Sequence, residues 1–160
     1  MTVLGIDPGA HGAIAILDDG GDLLDVLDMP SIEETPGRPS TNAPLLASIL
    51  AKAGARTIYC EFVGARPSDA PSGAFAFGRA RGVIEGVVAA LGLPITFLTP
   101  PTWKRMASIP PGAENKDVAR VRAIARWPTK AELFARKCDV DRAEAALIGW
   151  AGMQRDGARG

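Results

Sequence analysis

An α/β domain built on one mixed sheet is what the order of apolar runs in this chain points to. Three observations carry that reading. Short β-branched runs crowd the N-terminus and are separated by turn residues. Later apolar runs alternate with stretches of helical spacing. The 160 residues, 47% of them hydrophobic, can bury one substantial core but are short for two domains. One domain over residues 1–153 is expected, with 154–160 as a frayed tail.

Residues 2–6 are β-branched and apolar and stop at Asp7-Pro8-Gly9, so a strand delivers Asp7 to its C-terminal end. Residues 13–17 form a second run, closed by the turn Asp18-Asp19-Gly20-Gly21, and residues 23–29 alternate as a third strand. Together they make an antiparallel meander. Residues 31–42, rich in Pro, Thr, Ser, Gly and Glu, read as a loop. Leu46, Ile49 and Leu50 give residues 43–53 helical spacing, ended by Gly54. Residues 57–63 are a fourth strand broken by one charge, Glu61, and residues 64–72 a loop. Residues 73–91 predict a helix whose Gly78, Gly82 and Gly86 form a small-residue stripe open to a closely packed neighbour. Residues 94–98 are a fifth strand, 100–112 a Pro-rich loop, and 115–126 a basic helix ended by Trp127-Pro128. A short helical stretch from Lys130 precedes a last helix over 141–153.

Eighteen basic and eighteen acidic residues cancel, but they are segregated. Residues 1–37 hold eight carboxylates and no Lys or Arg, whereas residues 101–137 hold nine cations against three carboxylates. Such a division suits a polyanion-binding face opposite an acidic edge, the plainer account being a solvated basic helix. Cys60 and Cys138 lie far apart and in no CxxC or CxxH pattern, which argues against a zinc site or a disulfide framework; Cys60 reads as a small buried hydrophobe. With no long uncharged apolar run and no signal-like start, a soluble, cytoplasmic protein with no membrane partner is expected.

Four carboxylates stand where burial would ordinarily exclude them. Asp7 ends the first strand, Glu61 interrupts the fourth, and Asp141 and Glu144, three apart, share one face of an otherwise apolar helix. Facing one cleft, they would repel one another and raise their pKa values unless a cation neutralised them. Oxygen donors without a His or Cys set favour Mg²⁺ or Mn²⁺ over zinc. Two such ions about 3.5–4 Å apart suit in-line phosphodiester displacement, one activating the attacking water and the other stabilising the departing 3′ oxygen. Plainer roles exist, with Asp7 capping the turn at Pro8-Gly9 and Asp141 capping the last helix. A plainer role is harder to find for Glu61, because an unpaired Glu in an apolar strand is costly.

Gly5-Ile6-Asp7-Pro8-Gly9, then Ile58-Tyr59-Cys60-Glu61, Gly78-Arg79-Ala80-Arg81-Gly82 and Asp141-Arg142-Ala143-Glu144-Ala145-Ala146-Leu147, in that order and at those intervals, resemble the RuvC-type Holliday junction resolvases, above all their phage and prophage relatives. The resemblance spans nearly the whole chain. It implies an RNase H-like fold, with a mixed five-stranded sheet of three antiparallel strands followed by two parallel ones, flanked by helices. It also implies a homodimer, two Mg²⁺ ions per site, and paired nicks across a four-way DNA junction. Asp7, Glu61, Asp141 and Glu144 match the acidic tetrad, with Asp139 as a competing carboxylate. Lys104 and Lys116 match basic positions that contact DNA or assist the site. Gly64 stands where the cellular family carries an aromatic that opens the junction. A less selective nuclease for flaps, RNA or hybrids, or a non-catalytic DNA-binding protein of this fold, are the competing functions.

Further DNA contacts are expected from Arg120, which shares a helix face with Lys116, and from Arg66 in the loop after Glu61. Phe62, Phe75 and Phe77 have the chemistry to stack on bases but read as core residues, and His11 as a solvated turn residue.

Overall fold

The computed structural model describes residues 1–62, 64, 70–110 and 117–158. In chain order these form β1 (Thr2–Asp7), β2 (Ala13–Asp18), β3 (Leu23–Asp28), β4 (Ser31–Thr35), β5 (Arg38–Thr41), α1 (Ala43–Ala53), β6 (Ala55–Glu61), α2 (Pro71–Ala90), β7 (Ile95–Leu98), α3 (Pro100–Met106), α4 (Asp117–Arg126), a 3₁₀ segment Pro128–Phe134, and α5 (Val140–Gly157). The main sheet has five strands in the order β3-β2-β1-β6-β7. Its first three strands are antiparallel, while β6 and β7 run parallel to β1. This is the mixed sheet that the sequence implied.

Alternation along the strands sorts their side chains onto two cores. Val3, Ala13, Ala15, Leu17 and Tyr59 face a core completed by Trp103, Phe134 and the apolar stripe of α5. Leu4, Ile6, Ile14, Ile58 and Cys60 face the other, completed by Leu46 and Leu50 of α1 and Ile84 and Val88 of α2. A helical layer therefore covers each face of the sheet. Asp7 follows the parity of Val3, and Glu61 that of Tyr59, so both carboxylates lie on the α5 side.

The approach of α5 to β1 and β6 is backbone-close, and three glycines permit it. A Cβ on Gly5 would stand 2.1 Å from the Ala145 carbonyl oxygen, and one on Gly152 would stand 2.1 Å from Cγ of Tyr59. One on Gly149 would be 3.1 Å from Cα of Gly5 and 2.7 Å from Cδ1 of Leu17. The N-terminal turns of α5 are thereby held over the end of β1.

Four expectations need correction. Residues 31–42 are not an irregular loop, because β4 and β5 pair as a separate hairpin, turned at Pro36-Gly37, where the Gly37 N–H donates to the Glu33 carboxylate. The segment after residue 100 begins with α3, whose N-terminal Pro100 and Pro101 need no intrahelical donor. Residues 154–157 are not frayed: α5 continues to Gly157, and the Tyr59 hydroxyl donates to Asp156 at 2.6 Å. Among the described residues, nothing outside the helix lies within 4 Å of the Cβ positions of Gly78, Gly82 and Gly86, so that stripe seats no neighbour within the chain. No helix among the described residues is long and apolar enough to cross a membrane.

Candidate active site

Where β1 and β6 end side by side, their register sets Ile6 beside Cys60, so Asp7 and Glu61 emerge together at the C-terminal edge of the parallel pair. Above this edge the first turns of α5 present Asp141 and Glu144. Asp7, Asp141 and Glu144 each place a carboxylate oxygen within 4.8 Å of the others. Glu61 lines the same cavity, of about 760 Å³, with Phe62, Phe77 and His11 on its walls. Gly9, at φ 133°, and Gly12, whose Cβ would sit 2.0 Å from the Asp7 carbonyl oxygen, let the chain turn tightly behind Asp7.

The site is electrostatically costly without a counter-ion. Asp7 is only 8% exposed, and burial, followed by the charges of Glu144, Glu61 and Asp141, holds its carboxyl well above the usual carboxylate range, with Lys104 opposing. An all-oxygen donor set in which Asp7 resists ionisation fits a hard divalent cation, which would restore that carboxyl's charged form. Cys60 belongs to the opposite core, where burial first of all pushes its thiol up. Glu61 is not left to itself either: the buried indole of Trp103, on α3, donates from Nε1 to Glu61 Oε1 at 2.8 Å.

Asp139 and Asp141 have different fates. Asp139 is 2% exposed and accepts from the Arg136 backbone N–H at 2.8 Å and from the Arg136 guanidinium at 2.7 and 3.0 Å. Burial alone would raise its carboxyl, but Arg136, with Arg142 behind it, holds it below the ordinary value. It anchors the start of α5, and Asp141 joins the cluster.

The expected DNA contacts divide. Lys104 lies on α3 beside the cavity, its ammonium 5.3 Å from the Trp103 ring centre and close enough to Asp7 to oppose that carboxyl's rise. The Arg120 guanidinium is taken up within the fold, donating to Asp117 at 2.7 Å and to the carbonyls of Phe134 and Ala135 at 2.6 and 3.1 Å. Lys116 and Arg66 lie outside the described residues. The core reading of the three phenylalanines is overturned, since Phe62, Phe75 and Phe77 are all exposed. Arg81, from the Gly-Arg-Ala-Arg-Gly motif, stacks between the rings of Phe62 and Phe97 at 4.5 and 4.6 Å and pairs with Glu85 at 2.6 Å. Local sequence announces neither the partner of Trp103 nor this stack. Tryptophan beside a cation in a Pro-rich stretch was the only available signal for the first.

No family model and no curated protein matches this chain. Solved structures do. A T. thermophilus RuvC in complex with Holliday junction substrate matches at TM-score 0.69 and 16% identity, over 98% of this chain and 96% of that one. A Thermus thermophilus RuvC structure matches at TM-score 0.66 and 17% identity, over 99% and 97%. The yeast mitochondrial Holliday junction resolvase Ydc2 matches at TM-score 0.59 and 18% identity, over 97% of this chain and 78% of that one. Over almost its whole length, this chain has the RNase H-like fold of RuvC.

Proposed function

We propose that this chain is a divalent-cation-dependent DNA endonuclease that hydrolyses phosphodiesters in branched DNA, a four-way junction above all. The observation that carries the reading is the meeting of Asp7, Asp141 and Glu144 within 4.8 Å, with Glu61 on the same cavity. Likeness of fold to structures described as Holliday junction resolvases supports the substrate class. Asp7, Glu61, Asp141 and Glu144 would hold Mg²⁺, two ions per site, with Mn²⁺ able to substitute. Bound there, the cation supplies Lewis acidity at the phosphate and lowers the pKa of water.

The chain's own groups orient and attract. Trp103 can only donate, so it fixes one oxygen of Glu61 as an acceptor and orients the carboxylate that lines the cavity. Lys104 draws a phosphate toward the carboxylate edge and positions it without reading sequence. Lys116 and Arg66 extend this contact on the sequence argument alone. A homodimer would offer two such sites to a two-fold symmetric junction, giving paired nicks. Recombination or repair in the cytoplasm is the setting this chemistry serves.

The test is cleavage of a synthetic four-way junction with and without Mg²⁺, beside duplex, flap and RNA–DNA hybrid at matched salt. Glu61→Gln should abolish cutting while the circular dichroism spectrum is unchanged. Magnesium-dependent cutting that survives this substitution refutes the assignment of the site, and preference for flap or hybrid refutes the junction as substrate.

A further inference from the structure

The 3′ oxygen that departs from a phosphodiester leaves with the electron pair of its bond and ends as a hydroxyl, so it needs a proton as well as a stabilising charge. Carboxylates that hold a cation cannot give one, because an ionised carboxylate only accepts. What else stands on the cavity wall therefore matters. Apart from Asp7, Glu61, Asp141 and Glu144, the lining is glycine, alanine, proline and phenylalanine, with one exception, His11. Among the described residues, the single histidine of the chain is thus the one side chain on that wall, outside the tetrad, with a nitrogen or oxygen to donate from. Lys104 is not part of the lining, and its ammonium lies 5.3 Å from the Trp103 ring centre.

The turn that carries His11 is fixed from both sides. The Gly12 N–H donates to the Gly9 carbonyl at 3.1 Å, and the Gly12 carbonyl accepts from the Met29 N–H, at the end of β3, at 2.8 Å. Gly9 at φ 133° and Gly12 against the Asp7 carbonyl leave no room for other residues in this path. His11 itself is exposed, and no hydrogen bond or ion pair holds its ring among the described residues. Nor does an imidazole nitrogen belong to the group of oxygens that meet within 4.8 Å. A rigid turn thus presents an unengaged ring to the cavity, apart from the atoms that would hold a cation.

We propose that His11 is a catalytic residue that hands a proton to the departing 3′ oxygen. The inference rests on the nuclease reading above. A water oxygen bonds to phosphorus, the bond from phosphorus to the 3′ oxygen breaks, and that oxygen keeps the electron pair and takes the proton of a His11 ring nitrogen. The proton lost by the water passes to solvent, and the ring takes one back from solvent, so the sum is hydrolysis to a 5′ phosphate and a 3′ hydroxyl. Histidine is the side chain most often used for this task. A phosphate seated at the carboxylates has them on one side and the turn of His11 on the same wall, within reach of the atom that leaves.

The experiment compares two four-way junctions in single-turnover cleavage: one all-oxygen, the other with sulfur in place of the 3′ bridging oxygen at the position that wild type cuts. A thiolate leaves without a proton. Both are cut in Mn²⁺, so that one cation serves oxygen and sulfur alike, and binding of the uncut junction is read by anisotropy in EDTA. His11→Ala should cut the oxygen junction about 100-fold more slowly, cut the sulfur junction at nearly the wild-type rate, and bind as wild type does. His11→Asn, which keeps an N–H but cannot release its proton, should be as slow as His11→Ala on oxygen. Equal slowing on both junctions, weakened binding, or a wild-type rate in His11→Asn overturns the proposal. A wild type that cuts neither junction sinks the nuclease reading and the role of His11 with it; a wild type that cuts, with His11→Ala just as fast on oxygen, sinks the role of His11 alone.

Discussion

Glu61 occupies a strand position that would ordinarily carry an apolar side chain, and the Trp103 indole supplies one of the contacts that hold it there. A hydrogen bond to a charged group contributes about 1.5–3 kcal/mol. Trp103→Phe keeps the ring in its core and removes only the donor. The expected result is a kcat on junction DNA about tenfold lower with DNA affinity nearly unchanged, read by single-turnover cleavage and anisotropy; an equal loss in both would make Trp103 a binding residue. Tyr59, the sole tyrosine, gives a second case. Burial, then the Asp156 carboxylate, pushes its phenol up to about 12 from an ordinary 10.0. The protonated phenol is favoured by folding, so its contribution is complete below about pH 10 and is lost as pH climbs toward 12. Urea midpoints of wild type should fall across that window, and those of Tyr59→Phe should not; phenolate absorbance follows this one group. The four carboxylates were legible because charge inside an apolar run is costly wherever the chain folds. The Trp103 contact was not, since its partner is 42 residues away and only the tertiary fold brings them together. The exposure of Phe75 and Phe77 was hidden for the opposite reason, aromatic residues in a helix being mostly core.

Between α5 and the sheet, the chemistry depends on backbone contact. Gly5, Gly149 and Gly152 let the helix settle onto β1 and β6, and this sets how close Asp141 and Glu144 come to Asp7. A methyl group on Gly5 meets the Ala145 carbonyl, a rigid atom one residue beyond Glu144. Gly5→Ala should therefore lower stability by about 1–3 kcal/mol and should cost more activity than stability, because the helix must lift from the carboxylate cluster. Chemical denaturation and junction cleavage at a temperature where the variant is fully folded separate the two effects. Full activity in the folded variant would show that α5 has slack. The sheet and α1 could be read from periodicity, α1 being bounded by the Asn42 cap and by Gly54 at φ 62°. The β4–β5 hairpin could not, for β4 is exposed throughout and has no apolar alternation to announce it; its one local signal was Pro36-Gly37. α3 was obscured because prolines that read as a loop are also the residues that best open a helix.

Across the whole molecule, the acidic N-terminal region is stitched to arginines from elsewhere: Asp19 to Arg56, Glu34 to Arg79, and Asp28 to Arg142. These pairs are exposed and contribute little each; the burial of Asp7 among like charges is the larger cost, and stability should report it. Because the folded protein holds the Asp7 carboxyl above its ordinary 3.8, the protonated form is favoured by folding. Its contribution is whole below about pH 4 and is lost as pH rises, so ionised Asp7 weighs against the metal-free fold at neutrality. In EDTA, Asp7→Asn should therefore melt higher than wild type at pH 7.5, with the gap closing as pH falls toward 4. Magnesium should invert the order. At a hundredfold excess over its dissociation constant, a ligand bound only to the folded state adds about 2.7 kcal/mol, roughly 5–10 °C for a chain of this size. Wild type should gain that shift and Asp7→Asn little of it. A magnesium shift equal in both proteins would mean that the cation binds elsewhere, and a wild type that melts highest in EDTA at neutral pH would mean that the cluster is neutralised by the protein itself.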